Sequence, residues 1–127
     1  MACKTASIIP LTSTDHFANM HPSDQLIIVM TTVASHEDAE RITNQLLEAG
    51  LAACIQIDGP ITSHYQWKGT IERSNEFRLT IKTANSRWQT LKEQLVKHHP
   101  YEEPEILMLP VMDTTESYFK WVVQHTR

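Results

Sequence analysis

From Gln25 to Met30 the chain reads QLIIVM, a short and almost continuously apolar run rich in β-branched residues. Such a run suits a central strand covered on both faces. The period then changes. Ser35 with Asp38 three residues on makes a capping-box-like start, and Ala39, Ile42, Leu46 and Ala49 recur at helical spacing until Gly50 offers a stop. From Leu51 alternation returns, with Ile55, Ile57, Ile61, Tyr65 and Trp67 on one parity. Gly59-Pro60 interrupts it and predicts a bulge in an edge strand, where proline is tolerated. Lys68-Gly69 predicts a tight hairpin turn, and the return arm alternates Phe77, Leu79 and Ile81 against Glu76, Arg78, Thr80 and Lys82. A second helix is predicted from an Asn85 cap, with Trp88, Leu91 and Leu95 on one stripe, until Pro100 forbids continuation. A last strand, Glu105 to Val111, is bracketed by Pro104 and Pro110. Asp113 with Glu116 predicts the cap of a final helix bearing Tyr118, Trp121, Val122 and His125.

The order βαββαβα, without an internal repeat, predicts an α+β fold: the ferredoxin-like βαββαβ plait with an additional C-terminal helix. Residues 25–127 read as a single domain. Residues 1–24, with one lysine and the short patch SIIPL, read as a flexible N-terminal extension. In such a plait helices cover one face of the sheet, so the two-sided apolar character of Leu26 to Met30 calls for a second cover. Another copy of the chain is the natural one, and the long hairpin arms offer free edges for pairing between subunits.

Composition narrows the function classes. At 127 residues the chain is long enough to bury roughly two thirds of its unfolded surface, so no cofactor is required for folding. A formal charge of -4 with no basic run argues against nucleic acid as a partner. The longest apolar runs fall far short of the roughly 20 residues a membrane-spanning helix needs, and no secretory pattern opens the chain, so a cytoplasmic protein is expected. Cys3 in the extension and Cys54 within LAACIQI make a poor disulfide framework, and Cys54 reads as a small core residue.

Candidate chemistry concentrates in KHHPYEEPE, Lys97 to Glu105. The topology brings the end of the second helix toward the end of the first strand, so His98 and His99 approach Met30, Thr31 and Thr32, with Tyr65-Gln66-Trp67 pointing the same way. Adjacent helical residues diverge by about 100° and cannot easily chelate one ion. A residue before proline is pushed toward extended geometry, however, so Pro100 can turn His99 relative to His98. The helix C-terminus favours a cation, and two imidazoles with the Met30 thioether would suit Cu(I). The plain structural alternative is that His98 packs as the last residue of the stripe while His99 is solvated. Both readings stand on the residues alone. Nothing marks an enzyme: Tyr101, Glu102 and Glu103 form no recognisable nucleophile or phosphate-loop motif, and the only glycines are at 50, 59 and 69.

LLEAGLAACIQI, YQWKGTIE, LTIKT, HHPYEEPEILMLPV and YFKWV together closely resemble the CutA family of divalent-cation-tolerance proteins, over about residues 25 to 126. The resemblance implies a homotrimer with PII-like architecture, a response to metal ions, and copper bound by the histidine pair with a cysteine near the end of the first strand. Here that cysteine position holds Met30, so no anionic thiolate is present. Two functions follow: a copper-responsive trimer using His98, His99 and Met30, or a PII-like sensor or scaffold whose clefts between subunits, near Trp67, Lys82, Tyr101 and Glu102, bind a small molecule or partner.

Overall fold

The computed structural model describes residues 25–127, so the extension and Cys3 lie outside the described residues. Four strands alternate with three helices: β1 (Leu26–Val33), α1 (His36–Glu48), β2 (Cys54–Trp67), β3 (Thr70–Ala84), α2 (Trp88–His98), β4 (Ile106–Pro110) and α3 (Glu116–Gln124). The strands form one antiparallel sheet in the order β2-β3-β1-β4. This is the expected α+β, ferredoxin-like arrangement with its extra C-terminal helix.

Alternation along the strands decides what is buried. Ile27, Val29, Val33, Leu79 and Ile81 face the helices and are almost fully buried. Ala39, Ile42 and Leu46 from α1 and Leu91 and Leu95 from α2 close that core, with Ile55, Ile57, Phe77 and Trp88 packed around it. On the second face α3 packs against β3. Leu26, Ala84 and Val122 are buried outside the main cluster. Leu26 pairs with Ala84 at one end of the sheet. The rest of the second face lacks a cover: Ile28 and Met30 are only half-buried, and Leu107 and Leu109 are exposed. The two-sided apolar strand is therefore real in sequence and incompletely buried in a single chain.

Local chemistry explains the element ends. Ser35 Oγ accepts the Asp38 amide at 3.0 Å and caps α1 as expected. Gly50 stops it at φ 69°, in the left-handed region, and its carbonyl takes the Arg127 amide at 2.9 Å. The hairpin turns at Lys68 and Gly69, both with positive φ, matching the right-handed twist of its arms. The register slips between Asp58 and Ile61, where a Cβ on Gly59 would meet Glu76 O at 2.8 Å. Only glycine fits this bulge.

Several expected boundaries move. β1 continues to Val33, three residues past the apolar run, because Thr31 and Thr32 are buried and paired. β4 is limited to Ile106–Pro110. Asn85 does not cap α2: its amide still donates to Gln25 O at 2.7 Å, tying the chain to the sheet, and a single 3-10 turn over Asn85–Arg87 intervenes. Thr115, not Asp113, caps α3, accepting the Tyr118 amide at 3.4 Å. Asp113 sits two residues too early and instead accepts the Thr114 amide. Cys54 is half-buried opposite Lys82, a free thiol outside the core.

Candidate functional site

α2 ends because Pro100 cannot continue it, and His99 takes the extended conformation, φ -72° and ψ 134°, that a residue before proline prefers. Its amide still closes the last turn on Leu95 O at 2.9 Å. This geometry turns the His99 ring inward. Nε2 lies 3.0 Å from Thr31 Oγ1, and the Tyr101 amide donates to Nδ1 at 3.1 Å. With Nδ1 accepting, a neutral ring carries its proton on Nε2 and donates it to Thr31. Burial lowers the pKa of His99, opposed by a backbone hydrogen bond at Thr32 and the charges of Asp38 and Glu76, and aided by Arg41. The structural alternative, a packed His98 and a solvated His99, is thus reversed: His99 is the buried histidine of the pair, while His98 is half-exposed and offers its carbonyl to Arg41 at 3.5 Å.

Beyond Pro100 the chain crosses toward β3. The Tyr101 ring lies tilted against that of His99, centroids 4.9 Å apart and planes at 58°, and its hydroxyl donates to Glu76 Oε2 at 2.7 Å. Burial, then the hydrogen bond and negative charge of Glu76, hold Tyr101 well above the usual phenol pKa. It stays a neutral donor. Glu76 itself is 8% exposed. Two residues on, Arg78 binds the Asp58 carboxylate through Nη2 and Nε at 3.0 and 3.4 Å. Between these groups, β1 and the outer hairpin arm lies a cleft of about 940 Å³, lined among others by Met30, Thr32, Tyr65, Trp67, Glu76, Arg78, Tyr101 and Glu102.

Of the candidate residues, Met30, Trp67, Tyr101 and Glu102 meet in this one cleft. Lys82 is absent from its lining: it pairs with Ile28 and Cys54, farther along the sheet than the Thr80 pair of Met30. His98 and His99 also stand outside the lining. The proposed copper set is not assembled in this arrangement. Met30 points to the sheet face opposite Thr31, so the sheet backbone separates its sulfur from the ring that Thr31 holds. An imidazole ligand needs a free lone pair, and that of His99 Nδ1 receives the Tyr101 amide. Among the described residues no three His, Cys, Asp or Glu side chains group to hold a metal.

Glu76 and Arg78 are the cleft-lining positions that sequence reasoning missed. In the alternation of β3 they read as solvent-facing charges. The one available signal was the Gly59-Pro60 break, where a Cβ on Gly59 would meet Glu76 O at 2.8 Å.

Residues 27–125 match the family described as CutA1 divalent ion tolerance protein. A divalent-cation tolerance protein CutA of Pyrococcus horikoshii is 36% identical over 102 residues, which span 80% of this chain and 99% of that protein. The chloroplastic protein CutA of Arabidopsis thaliana is 34% identical over 101 residues, 80% of this chain and 56% of that one. In structure, the divalent ion tolerance protein CutA1 of Ehrlichia chaffeensis superposes with a TM-score of 0.78 at 33% identity, covering 81% of this chain and 96% of that chain.

Proposed function

The chain belongs to the CutA1 family of divalent ion tolerance proteins, and from that premise we propose that it acts as a homotrimeric, non-enzymatic sensor or scaffold whose Tyr101 cleft binds a small ligand. The observation that carries this reading is the cleft itself: about 940 Å³, built on strands, with Tyr101 fixed on Glu76 at its wall. A non-catalytic role agrees with the state of that wall. Tyr101 is held as a phenol far from neutral titration and is poorly matched to general acid or base work. Trimerisation is supported by what one chain leaves exposed, namely Leu107 and Leu109 on the second face and Ile71 on the hairpin. Thermal-shift screening of small ligands against the protein and Trp67→Ala tests the cleft: stabilisation of the first that is lost in the second supports it, and no response across the panel rejects it.

A cytoplasmic location is part of the proposal, although one relative named above is chloroplastic; cell fractionation decides it. Copper binding through His98, His99 and Met30 is the second reading. It is favoured by the placement of both histidines at the C-terminal, negative end of α2, and it requires the Tyr101–His99 and Thr31–His99 contacts to open. Titration of Cu(I) and Cu(II) into the protein and into the His98→Ala/His99→Ala variant separates the readings: stoichiometric binding lost in the variant supports copper, and retained stoichiometry rejects the pair.

A further inference from the structure

The C-terminal end of α2 favours a positive charge, and a guanidinium from the neighbouring helix already stands there. Arg41, on α1, reaches across with Nη1 3.5 Å from the His98 carbonyl oxygen and Nη2 3.2 Å from Asp38 Oδ1. The last carbonyls of a helix carry partial negative charge and are met by cations. Here that cation is part of the chain. The two carboxylates whose charge reaches the His99 ring are engaged as well: Asp38 holds Arg41, and Glu76 takes the Tyr101 hydroxyl at 2.7 Å.

Both nitrogens of the His99 ring face groups that keep the imidazole neutral and turned inward. The Tyr101 amide donates to Nδ1 at 3.1 Å, and Nε2 lies 3.0 Å from Thr31 Oγ1. A backbone N–H cannot reverse its role, so it occupies the lone pair through which this nitrogen would bind a metal. The Arg41 charge acts in the same direction as burial, opposing a second positive charge at the ring. Three elements therefore meet at one point: α1 through Arg41, α2 through the His98 carbonyl, and β1 through Thr31.

We propose that Arg41 is the resident cation of this helix end, and that the histidine pair works with it as a structural clasp rather than as metal ligands. His99 is the positioning residue of the clasp, fixing the Tyr101 amide and with it the start of the loop after α2. The inference goes beyond the cleft reading and argues against the copper reading of the pair. Cu(I), which is diamagnetic, tests it by nitrogen-15 NMR of the histidine rings at neutral pH without oxygen. The parent should show His99 in the Nε2–H form, with both ring nitrogens unmoved at one equivalent of Cu(I), whatever the half-exposed His98 ring does. Arg41 is 41% exposed and tolerates replacement. Competition with a Cu(I) chelator should give about tenfold tighter uptake by Arg41→Gln than by the parent, a unit-charge repulsion weakened by solvent, and no gain in Arg41→Lys, which keeps the charge. His99 signals that shift with Cu(I) in the parent would overturn the clasp. Uptake by Arg41→Gln no tighter than by the parent, or equally improved in Arg41→Lys, would overturn the role of Arg41. None of these results bears on the small-ligand cleft, which the thermal-shift screen decides separately.

Discussion

Glu76 and Tyr101, 25 residues apart, meet at 2.7 Å in a hydrogen bond from a phenol to a buried carboxylate. This contact joins the loop after α2 to the middle of β3, the strand where the hairpin leaves the helix-covered layer. It therefore holds the loop at the wall of the cleft, which both residues line.

Removing that hydroxyl should be felt in stability. Tyr101→Phe leaves Glu76 Oε2 without its donor, and the loss of a hydrogen bond to a charged group is worth about 1.5–3 kcal/mol. Urea denaturation at one fixed protein concentration should show a lower midpoint. An unchanged midpoint would mean that water replaces the phenol without loss.

His99 makes stability depend on pH in a defined direction. Its folded pKa lies below the unfolded value of 6.5 because burial disfavours the charged ring. The unfolded chain therefore binds the proton more readily, and stability from this group is complete above pH 6.5 and declines as pH falls through that value toward the folded pKa. His99→Gln should flatten that part of the stability–pH profile. A slope identical to the parent would place the titration elsewhere.

Gly59→Ala should destabilise the hairpin. At φ 147° the added Cβ would sit 2.8 Å from Glu76 O and 2.9 Å from Phe77 Cδ1, so both backbone strain and overlap act together. A cost of about 1–3 kcal/mol is expected for forcing a side chain into such a conformation. Thermal melts of the two proteins compare it directly, and equal melting temperatures would show that the bulge relaxes.

Assembly can be tested at the open sheet face. Light scattering should give a trimer for the parent and a smaller species for Leu107→Asp/Leu109→Asp, whose side chains are 51% and 43% exposed in a single chain. A charge placed in an apolar contact is unfavourable by several kcal/mol, and a monomeric parent would reject the trimer outright.

Most of the architecture was legible because it is written in periodicity. The Ser35 cap, the Leu91–Leu95 stripe and the Lys68-Gly69 turn each rest on interactions local in sequence, and each appears where the pattern put it. The caps expected at Asn85 and Asp113 each lie two residues too early, and at Asn85 the chain geometry is imposed by a distant partner, Gln25. The cleft was half legible. Trp67, Tyr101 and Glu102 were placed in one cleft with Lys82, which lies outside it, and Met30 was assigned to a copper set instead, while Glu76 carries the same alternation signal whether it meets water or Tyr101. That His99 turns away from His98 was legible from Pro100, whereas its inward destination at Thr31 depended on a strand 68 residues away.

The strand order has a temporal side. β1 is the first strand to be made, yet its two neighbours are β3 and β4, and its last partner is Pro110. At about 5–20 residues per second of synthesis, Leu26–Val33 waits roughly 4–15 s for both flanks to exist. Until β3 is made the most apolar segment of the sheet has two unsatisfied edges, and until β4 is made it has one, so chains stalled before the hairpin is complete should be the ones most prone to aggregate and most dependent on chaperones.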